Sequence, residues 1–279
     1  MTTASRYWAD WSTRDFAELG RSGHAASTIA VLPIAAVEQH GPHLPLQVDA
    51  RIVEGIIAQA VPLLPASLRV LFLPVQAIGL STEHACFPGT LRLRAETVLR
   101  LWTELGESVA ACGIRKLLFF NGHGGNVGPM DVVARDLRLR CGLCVYRANW
   151  FDLPWLDATG EEVRSRCTSR ELRYGVHAGE IETSLMLALA PEWVAMEWAQ
   201  DFHSSAEERN ERFPILGGCG AKRTWLAQDL HSSGAVGNAA AATAELGHTI
   251  LQAAAHSLVR LLAEWDRLDA VDIAAQSAP

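Results

Sequence analysis

The chain has 279 residues, 49% of them hydrophobic and 20% charged, a composition typical of a globular protein with a sizeable buried core. Its 24 basic and 31 acidic residues give a formal net charge of −7, which excludes a general electrostatic attraction to nucleic acid or anionic membranes. The first residues lack the pattern of a signal peptide, and no apolar run approaches the roughly 20 residues of a spanning helix, so we expect a cytoplasmic protein.

The first half of the chain alternates between two hydrophobic patterns. Apolar, β-branched runs predict strands at Thr28–Ile34, Val70–Ile78, Lys116–Phe120 and Leu143–Trp150. Helical periodicity between them predicts helices at Ala50–Leu64, Ala95–Cys112 and Val127–Arg140. Because the strand runs are apolar throughout, both faces of the sheet should be buried. The pattern therefore predicts an α/β fold with a mostly parallel sheet covered by helices on both sides.

The second half of the chain is less regular. Further helices are expected at Glu161–Glu171, Gly179–Ala190 and Asn238–Trp265, the last of them rich in alanine. Residues 199–237, which include Gly217-Gly218-Cys219-Gly220, show no clear period and are interpreted as loops that cover the active site. Without a repeat or a linker, a single domain over residues 1–279 is the simplest interpretation.

The pair Cys141-Gly142-Leu143-Cys144 has the spacing of a zinc or redox motif. A structural zinc site would normally need a second pair, and a redox pair would open a helix, whereas this one leads into a predicted strand. We therefore interpret these cysteines as core residues, since a buried free thiol packs as a small hydrophobe.

Acidic and imidazole side chains follow the first predicted strand, in Glu38-Gln39-His40-Gly41-Pro42-His43, with Asp49 just beyond. In an extended chain Glu38 and His40 point to the same side, at the carboxyl end of the strand, where α/β folds bind ligands. Asp49 falls at the start of the next helix, where it could stabilise the helix N-terminus or bridge two metal ions. A polar loop with a simple helix cap is the alternative.

A glycine-rich segment, Asn121-Gly122-His123-Gly124-Gly125-Asn126, follows the third predicted strand. Its histidine should converge on the same crevice as the first segment, which favours metal binding. A phosphate-binding loop is the rival interpretation, but the lysine and spacing of such a loop are missing. The backbone N–H groups near Gly124 and Gly125 are candidates for binding a substrate oxyanion.

Two other segments contribute candidate residues. In His177-Ala178-Gly179-Glu180-Ile181-Glu182, the two glutamates cannot share one helix face, and the residues alone do not decide which of them enters the site. After the second strand, Ser81, Glu83 and His84 overhang the same crevice and could bind substrate, although a structural turn is equally compatible.

Together these segments resemble the creatininase family of metal-dependent amidohydrolases. Five segments between residues 28 and 265 carry the resemblance: Pro33 with 38–49, 83–90, 121–126, 177–189 and 234–238. The resemblance implies a three-layer α/β/α sandwich, a homo-oligomer such as a hexamer, and two divalent ions of zinc, manganese or iron per subunit. The positions that match metal ligands are Glu38, His40, Asp49 as the bridge, His123 and Glu182. His177 matches a catalytic position, with Glu180 as a second candidate for proton transfer.

The expected activity is hydrolysis of a C–N amide or cyclic amide bond in a small molecule. Creatininase itself has an aromatic residue and a glutamate where this chain has Gly124 and Gly125, so creatinine is not the expected substrate. Branches that share the H-G-G-N form include a formamide-cleaving deformylase and a peptidase of the mycofactocin precursor, which makes a formamide or a peptide the alternative. A non-catalytic metal-binding scaffold is a third interpretation, which the complete ligand set disfavours.

Overall fold

The computed structural model describes residues 5–213, 215–216 and 222–268. In chain order, its helices of four or more residues are α1 (Thr13–Arg21), α2 (Val48–Ala60), α3 (Ala95–Ala111), α4 (Val127–Cys141), α5 (Ser169–Tyr174), α6 (Glu180–Leu189), α7 (Ser205–Arg212), α8 (Ala227–Leu230) and α9 (Ala244–Asp266). The strands are β1 (Ile29–Ile34), β2 (Val70–Phe72), β3 (Lys116–Asn121), β4 (Cys144–Asn149), β5 (Asp201–Phe202) and β6 (Gly237–Asn238). Among the described residues, no helix has both the length and the apolar character needed to cross a membrane.

The central sheet has four parallel strands in the order β2-β1-β3-β4. β1 and β3 lie at its centre and pair along their whole length, from Ile29 opposite Lys116 to Ile34 opposite Asn121. Their carboxyl ends therefore lie side by side. A separate antiparallel pair joins β5 to β6.

Alternate residues of the central strands enter two different hydrophobic cores. On one face, Val31 and Phe120 pack in a core with residues of α2, α6 and α9. On the other face, Leu32 and Phe119 pack in a core with residues of α1, α3 and α4. Burial on both faces accounts for the continuous apolar runs of β1 and β3, whereas β4, which was also predicted to be buried, lies at the edge of the sheet and is only partly buried. The predicted three-layer α/β/α sandwich with a mostly parallel sheet is confirmed.

The largest difference from the sequence prediction concerns residues 161–171. The predicted helix is replaced by a 3-10 turn at Arg164–Arg166 and by α5, which begins only after Thr168. The Thr168 hydroxyl accepts a hydrogen bond from the Glu171 N–H and so caps α5. Upstream, Val163 N–H donates to the Trp155 carbonyl at 2.9 Å. This backward pairing uses backbone groups that a longer helix would need.

Three other predicted boundaries differ. β2 ends at Phe72, shortly before Pro74, which cannot donate to a sheet. α9 begins at Ala244 because Thr243 caps it, while residues 237–238 form β6. Residues 199–237, predicted as loops, contain β5, α7, α8 and the start of β6, whereas Gly217-Gly218-Cys219-Gly220 lie outside the described residues.

Candidate metal centre

The carboxyl ends of β1 and β3 bring the first two polar segments together. Glu38 and His40 follow β1, and His123 follows β3. The two segments are joined where Gly122 N–H donates to the Ile34 carbonyl at 2.9 Å. Adjacent parallel strands therefore deliver these three side chains to one edge of the sheet, as the sequence predicts.

Asp49 reaches the same edge from the first turn of α2. Gly122 permits this approach, because a Cβ on residue 122 would lie 2.5 Å from Val53 Cγ2 and 3.1 Å from the Asp49 carbonyl oxygen. Any side chain at this position would therefore push the first turn of α2 away from β3.

The third segment enters through an unusual backbone conformation. His177 pairs with Val236 in an isolated bridge. Ala178 then adopts a φ of 55°, the only positive φ of a non-glycine residue among those described. Its N–H donates to the carboxylate of Glu182, which lies in the first turn of α6. Such strain is common at functional sites, and here it orients the Glu182 side chain.

Asp49 lies between two groups of potential ligands. Its Oδ1 is 3.2 Å from His40 Nε2, and its Oδ2 is 3.4 Å from His123 Nδ1. On one side, His123 Nδ1 is also 3.1 Å from Glu38 Oε1. On the other side, His40 Nε2 is 3.9 Å from Glu182 Oε2. Among the described residues, three groups have ligand atoms within 4.8 Å of one another: Glu38–Asp49–His123 and His40–Asp49–Glu182, which share Asp49, and Glu38–His40–His177.

Three imidazoles of the cluster are oriented by backbone carbonyl groups. His40 Nδ1 lies 3.0 Å from the Glu38 carbonyl oxygen, His123 Nε2 2.9 Å from that of Leu80, and His177 Nε2 2.6 Å from that of Gln39. If each of these nitrogens donates its N–H, the other ring nitrogen faces the carboxylates. Such fixed tautomers are typical of histidines that bind metals.

The pKa values reflect a dense group of opposite charges. Burial alone would lower the pKa of His40, but Asp49 and then Glu182 outweigh it and raise it to about 9. The pKa of His123 is also held well above its usual value, against burial, chiefly by Glu38. Conversely, burial would raise the pKa of Glu38, but the surrounding histidines, His123 first, lower it. The carboxylates thus attract cations, either protons or metal ions, to these nitrogens.

Two carboxyl groups have the opposite shift. Burial, followed by the nearby Glu38, raises the pKa of Asp49. Burial also raises the pKa of Glu182 to about 7, and Asp49 adds to the shift more strongly than the other carboxylates. These carboxyls repel one another, so a divalent cation among them would relieve a large electrostatic cost.

The cluster also has buried polar atoms without a hydrogen-bond partner. They include both carboxylate oxygens of Glu38, Nε2 of His40 and Oδ2 of Asp49. Unpartnered buried atoms of this kind are costly, and here they converge. Imidazole nitrogen and carboxylate oxygen are donors that zinc, manganese and iron accept, so the residues fit a pair of such ions.

His177 lies between two other histidines. Its ring centroid is 4.2 Å from those of His40 and His84, and its Nδ1 is 3.8 Å from Glu38 Oε1. Burial, then His40 and His84, hold the pKa of His177 well below its usual value. The ring is therefore neutral at pH 7 and can accept a proton.

The structure separates the two candidate glutamates. Glu182 lies in the cluster, whereas Glu180 is not among the cavity-lining residues that the structure describes. Burial, followed by the charge of Glu171, raises the pKa of Glu180. Glu171 Oε1 accepts the Glu180 N–H at 2.7 Å. The geometry thus favours Glu182 as the ligand, while Glu180 belongs to none of the ligand groups of the described residues.

The residues predicted to bind substrate are also divided. Glu83, His84, Gly124 and Gly125 line the cavity above the cluster. Ser81 is fully buried and is not among the described lining residues. Glu83 Oε1 lies 3.3 Å from His123 Nε2. The same oxygen occupies the space next to Gly125, since a Cβ added to this glycine would lie only 2.3 Å from Glu83 Oε1.

Sequence reasoning expected residues 199–237 to cover the site, but it did not identify most of the individual residues of the cavity wall. The cavity has a volume of about 820 Å³. Lining residues that were not predicted include Trp150, Phe151, Trp155, Arg164, Glu171, Lys222, Arg223 and Trp225. Apart from Glu171, which lies in α5, these side chains come from irregular segments that hydrophobic periodicity does not place, and only their tertiary contacts bring them to the site.

Comparison with known proteins relates the sequence and the fold of this chain to one family. The family model described as "Creatininase: Creatinine amidohydrolase" matches residues 9–262. The mycofactocin precursor peptide peptidase of Mycobacterium tuberculosis is 32% identical over 86% of this chain and 87% of its own length. The creatinine amidohydrolase of Pseudomonas putida is 26% identical over 68% and 75%, respectively. A solved mutant creatininase of the Zn–Zn type superposes with a TM-score of 0.69, at 20% identity over 95% of this chain and 99% of that one.

Proposed function

The chain belongs to the creatininase family, and we propose that it is a metal-dependent amidohydrolase that cleaves a C–N amide bond in a peptide or peptide-derived substrate. The observation that carries the proposal is the pair of ligand groups that share Asp49. Two neighbouring groups of buried nitrogen and oxygen donors with a common carboxylate form the arrangement that a dinuclear hydrolase needs.

In this scheme Glu38, Asp49 and His123 would hold one divalent ion, and His40, Asp49 and Glu182 would hold the other. When bound, zinc, manganese or iron would supply Lewis acidity, which activates water near neutral pH and polarises a carbonyl group. Glu83 supports His123 from behind, since its carboxylate lies 3.3 Å from the nitrogen that faces away from Glu38.

His177 is the proposed proton carrier. It is neutral at pH 7, and its Nδ1 faces the cluster, since its Nε2 contacts the Gln39 carbonyl. It can therefore accept a proton from the attacking water and return it to the departing nitrogen. His84 is oriented by Gln39, whose Nε2 lies 2.7 Å from His84 Nδ1, so that His84 Nε2 faces Glu38 at 3.3 Å.

The substrate carbonyl is expected to face the start of α4. Gly124 and Gly125 form the 3-10 turn that leads into this helix, and both line the cavity. N–H groups in the first turn of a helix lack partners within it and can stabilise an oxyanion.

Two observations favour a peptide-derived amide. The M. tuberculosis relative is named a peptidase, and the cavity of about 820 Å³ with several tryptophans can accommodate a group larger than a small cyclic amide. A small cyclic amide is the second candidate, favoured by the P. putida relative.

The test combines metal analysis with a substrate screen. Protein loaded with zinc, manganese or iron(II) is incubated with creatinine, N-formyl amines and a set of short peptides, and released amine is measured. We expect peptide cleavage, and His177→Asn should lower kcat by about 10²-fold or more while the metal content is retained.

His203→Asn is the matched control, because His203 is an exposed histidine that interacts with Asp201. This control should retain full activity. Metal-loaded protein that cleaves none of these compounds, or full activity in His177→Asn, would contradict the proposal.

A further inference from the structure

Among the residues that the structure describes, three cationic side chains line the cavity together with the metal-binding cluster: Arg164, Lys222 and Arg223. A cavity that binds metal ions does not need cations of its own, since bound ions already bring positive charge. Whether these cations can bind a ligand therefore depends on whether acidic groups of the protein already neutralise them.

The acidic lining groups outside the cluster each have a partner. Glu83 faces His123 at 3.3 Å, and Asp152 accepts a hydrogen bond of 2.7 Å from Asn149 Nδ2. Glu171 accepts backbone N–H groups at the start of α6 and in β6, at 2.7 and 3.0 Å. These carboxylates do not neutralise the cations of the cavity wall.

The three cations differ in how far they are engaged. Arg164 stacks on Trp155 at 4.4 Å and donates to two backbone carbonyl groups, so it has a structural role. Within the described part of the chain, Lys222 has no hydrogen-bond or ion-pair partner. Among the same described residues, Arg223 has one ion-pair partner, Asp229, at 3.5 Å, and its side chain is 46% exposed. Lys222 and Arg223 thus retain donors for a ligand.

The segment that carries these two cations, residues 222–226, is attached to the cavity wall. Its Leu226 N–H donates to Asp229 Oδ2 at 3.0 Å, and the next residue, Ala227, donates to the Glu83 carbonyl at 2.9 Å. Trp225 meets the His84 ring edge-on, with centroids 6.5 Å apart. An aromatic surface and two cations therefore stand together on a wall that continues into residues of the metal-binding cluster.

We infer that the substrate carries a carboxylate, which Lys222 and Arg223 bind while the scissile amide lies at the metal centre. This inference rests on the proposed function and specifies its substrate class as anionic peptides. The carboxylate is either the C-terminus or an acidic side chain, and both present the same chemistry to an ammonium and a guanidinium group. Ion pairs of the substrate carboxylate with Lys222 and Arg223, at a partly exposed site, should strengthen substrate binding about tenfold.

The inference is tested with a double-mutant cycle between charges of the ligand and of the protein. The probes are N-acetyl-Gly-Gly-Phe, its C-terminal amide, and the amide of N-acetyl-Glu-Phe, which separates a side-chain carboxylate from a terminal one. Binding to the metal-loaded protein is measured by calorimetry, and cleavage is followed by amine release. The test variant is K222M/R223Q. The control, R14Q/R21Q, removes two charges from α1, whose residues are not among those that line the cavity.

At least one carboxylate probe should bind wild type about tenfold more tightly than the neutral amide, and K222M/R223Q should abolish this difference. R14Q/R21Q should leave it unchanged. Because a carboxylate can also bind a metal ion directly, a preference that persists in K222M/R223Q overturns the inference, as does the absence of any preference in wild type. If K222M/R223Q abolishes the preference for a carboxylate but no peptide is cleaved, only the proposed peptide hydrolysis is contradicted. If peptides are cleaved but the preference does not depend on these two residues, only the carboxylate site is contradicted.

Discussion

Asp49 Oδ2 and His123 Nδ1 lie 3.4 Å apart, although one side chain starts from the first turn of a helix and the other from the end of a strand. The second oxygen of the same carboxylate faces His40 at 3.2 Å. A single side chain thus joins two groups of ligands. Loss of Asp49 should therefore affect both metal ions together, whereas loss of any other ligand should affect mainly one.

We expect Asp49→Ala to lose both metal ions and all metal-dependent activity. Elemental analysis of protein purified without chelator checks this, with near two equivalents expected in wild type. Asp152→Asn is the matched control, because Asp152 lines the same cavity but lies outside both ligand groups. Retention of two equivalents in Asp49→Ala would show that the shared-carboxylate arrangement is wrong.

The two glutamates of α6 should respond differently to the same substitution. Glu182→Gln removes a carboxylate that lies 3.9 Å from His40 Nε2, so it should weaken binding of the second ion by roughly tenfold or more. Glu180→Gln should leave both affinities unchanged, since its carboxyl is not part of either ligand group. Metal titration by calorimetry compares the two variants, and the reverse order of affinities would reassign the ligand.

Gly122 should be essential for the position of Asp49. Gly122→Ala places a methyl group 2.5 Å from Val53 Cγ2, which should destabilise the protein by about 1–3 kcal/mol and weaken metal binding. Gly124→Ala is the matched control, because a Cβ there meets no atom within 4 Å. Urea denaturation and metal titration of both variants provide the measurement. Equal free energies of unfolding of the two variants would mean that α2 accommodates the added methyl group at residue 122 without loss of stability.

The sheet and the convergence of the acidic and imidazole side chains could be predicted because both depend on local sequence patterns. β1 and β3 are apolar runs, and the residues at their carboxyl ends must converge in a parallel sheet. Glu38, His40 and His123 follow from this rule alone. The choice of Glu182 over Glu180 did not follow from this rule. It depends on the backbone turn at Ala178, whose N–H donates to the Glu182 carboxylate.

Residues 199–237 were expected to cover the active site, but the individual residues of the cavity wall could not be predicted because they depend on contacts between distant segments. Trp225 reaches the site because its segment is hydrogen-bonded to the loop that contains Glu83, more than a hundred residues earlier in the chain. Glu171 was expected at the end of a helix, but it lies in the middle of α5 and accepts N–H groups from α6 and β6. Neither arrangement leaves a periodic signal in the sequence.

Protons and metal ions should compete for the cluster. The pKa of His40 is raised to about 9 against burial, chiefly by Asp49, and burial raises that of Glu182 to about 7. At pH 7 His40 is therefore protonated, and a metal ion must displace that proton. Metal binding should release protons, which calorimetry in buffers of different ionisation enthalpy measures directly. Affinity should fall as the pH is lowered from 9 to 6.

The same shifts give the protein a pH-dependent stability. A group with a raised pKa in the folded state stabilises the protein below its unfolded pKa, 6.5 for His40, and loses this contribution as the pH rises through about 9. Glu182 acts in the same direction, with its contribution lost as the pH rises through about 7. The contributions of these two groups should make chelator-treated protein less stable as the pH rises from 6 to 9. Metal-loaded protein should gain stability over the same range, because it binds its metal ions more tightly at higher pH. The difference in Tm between the two forms should therefore widen over this range in wild type and remain small in Asp49→Ala. A constant difference in wild type would show that protons do not occupy the metal positions.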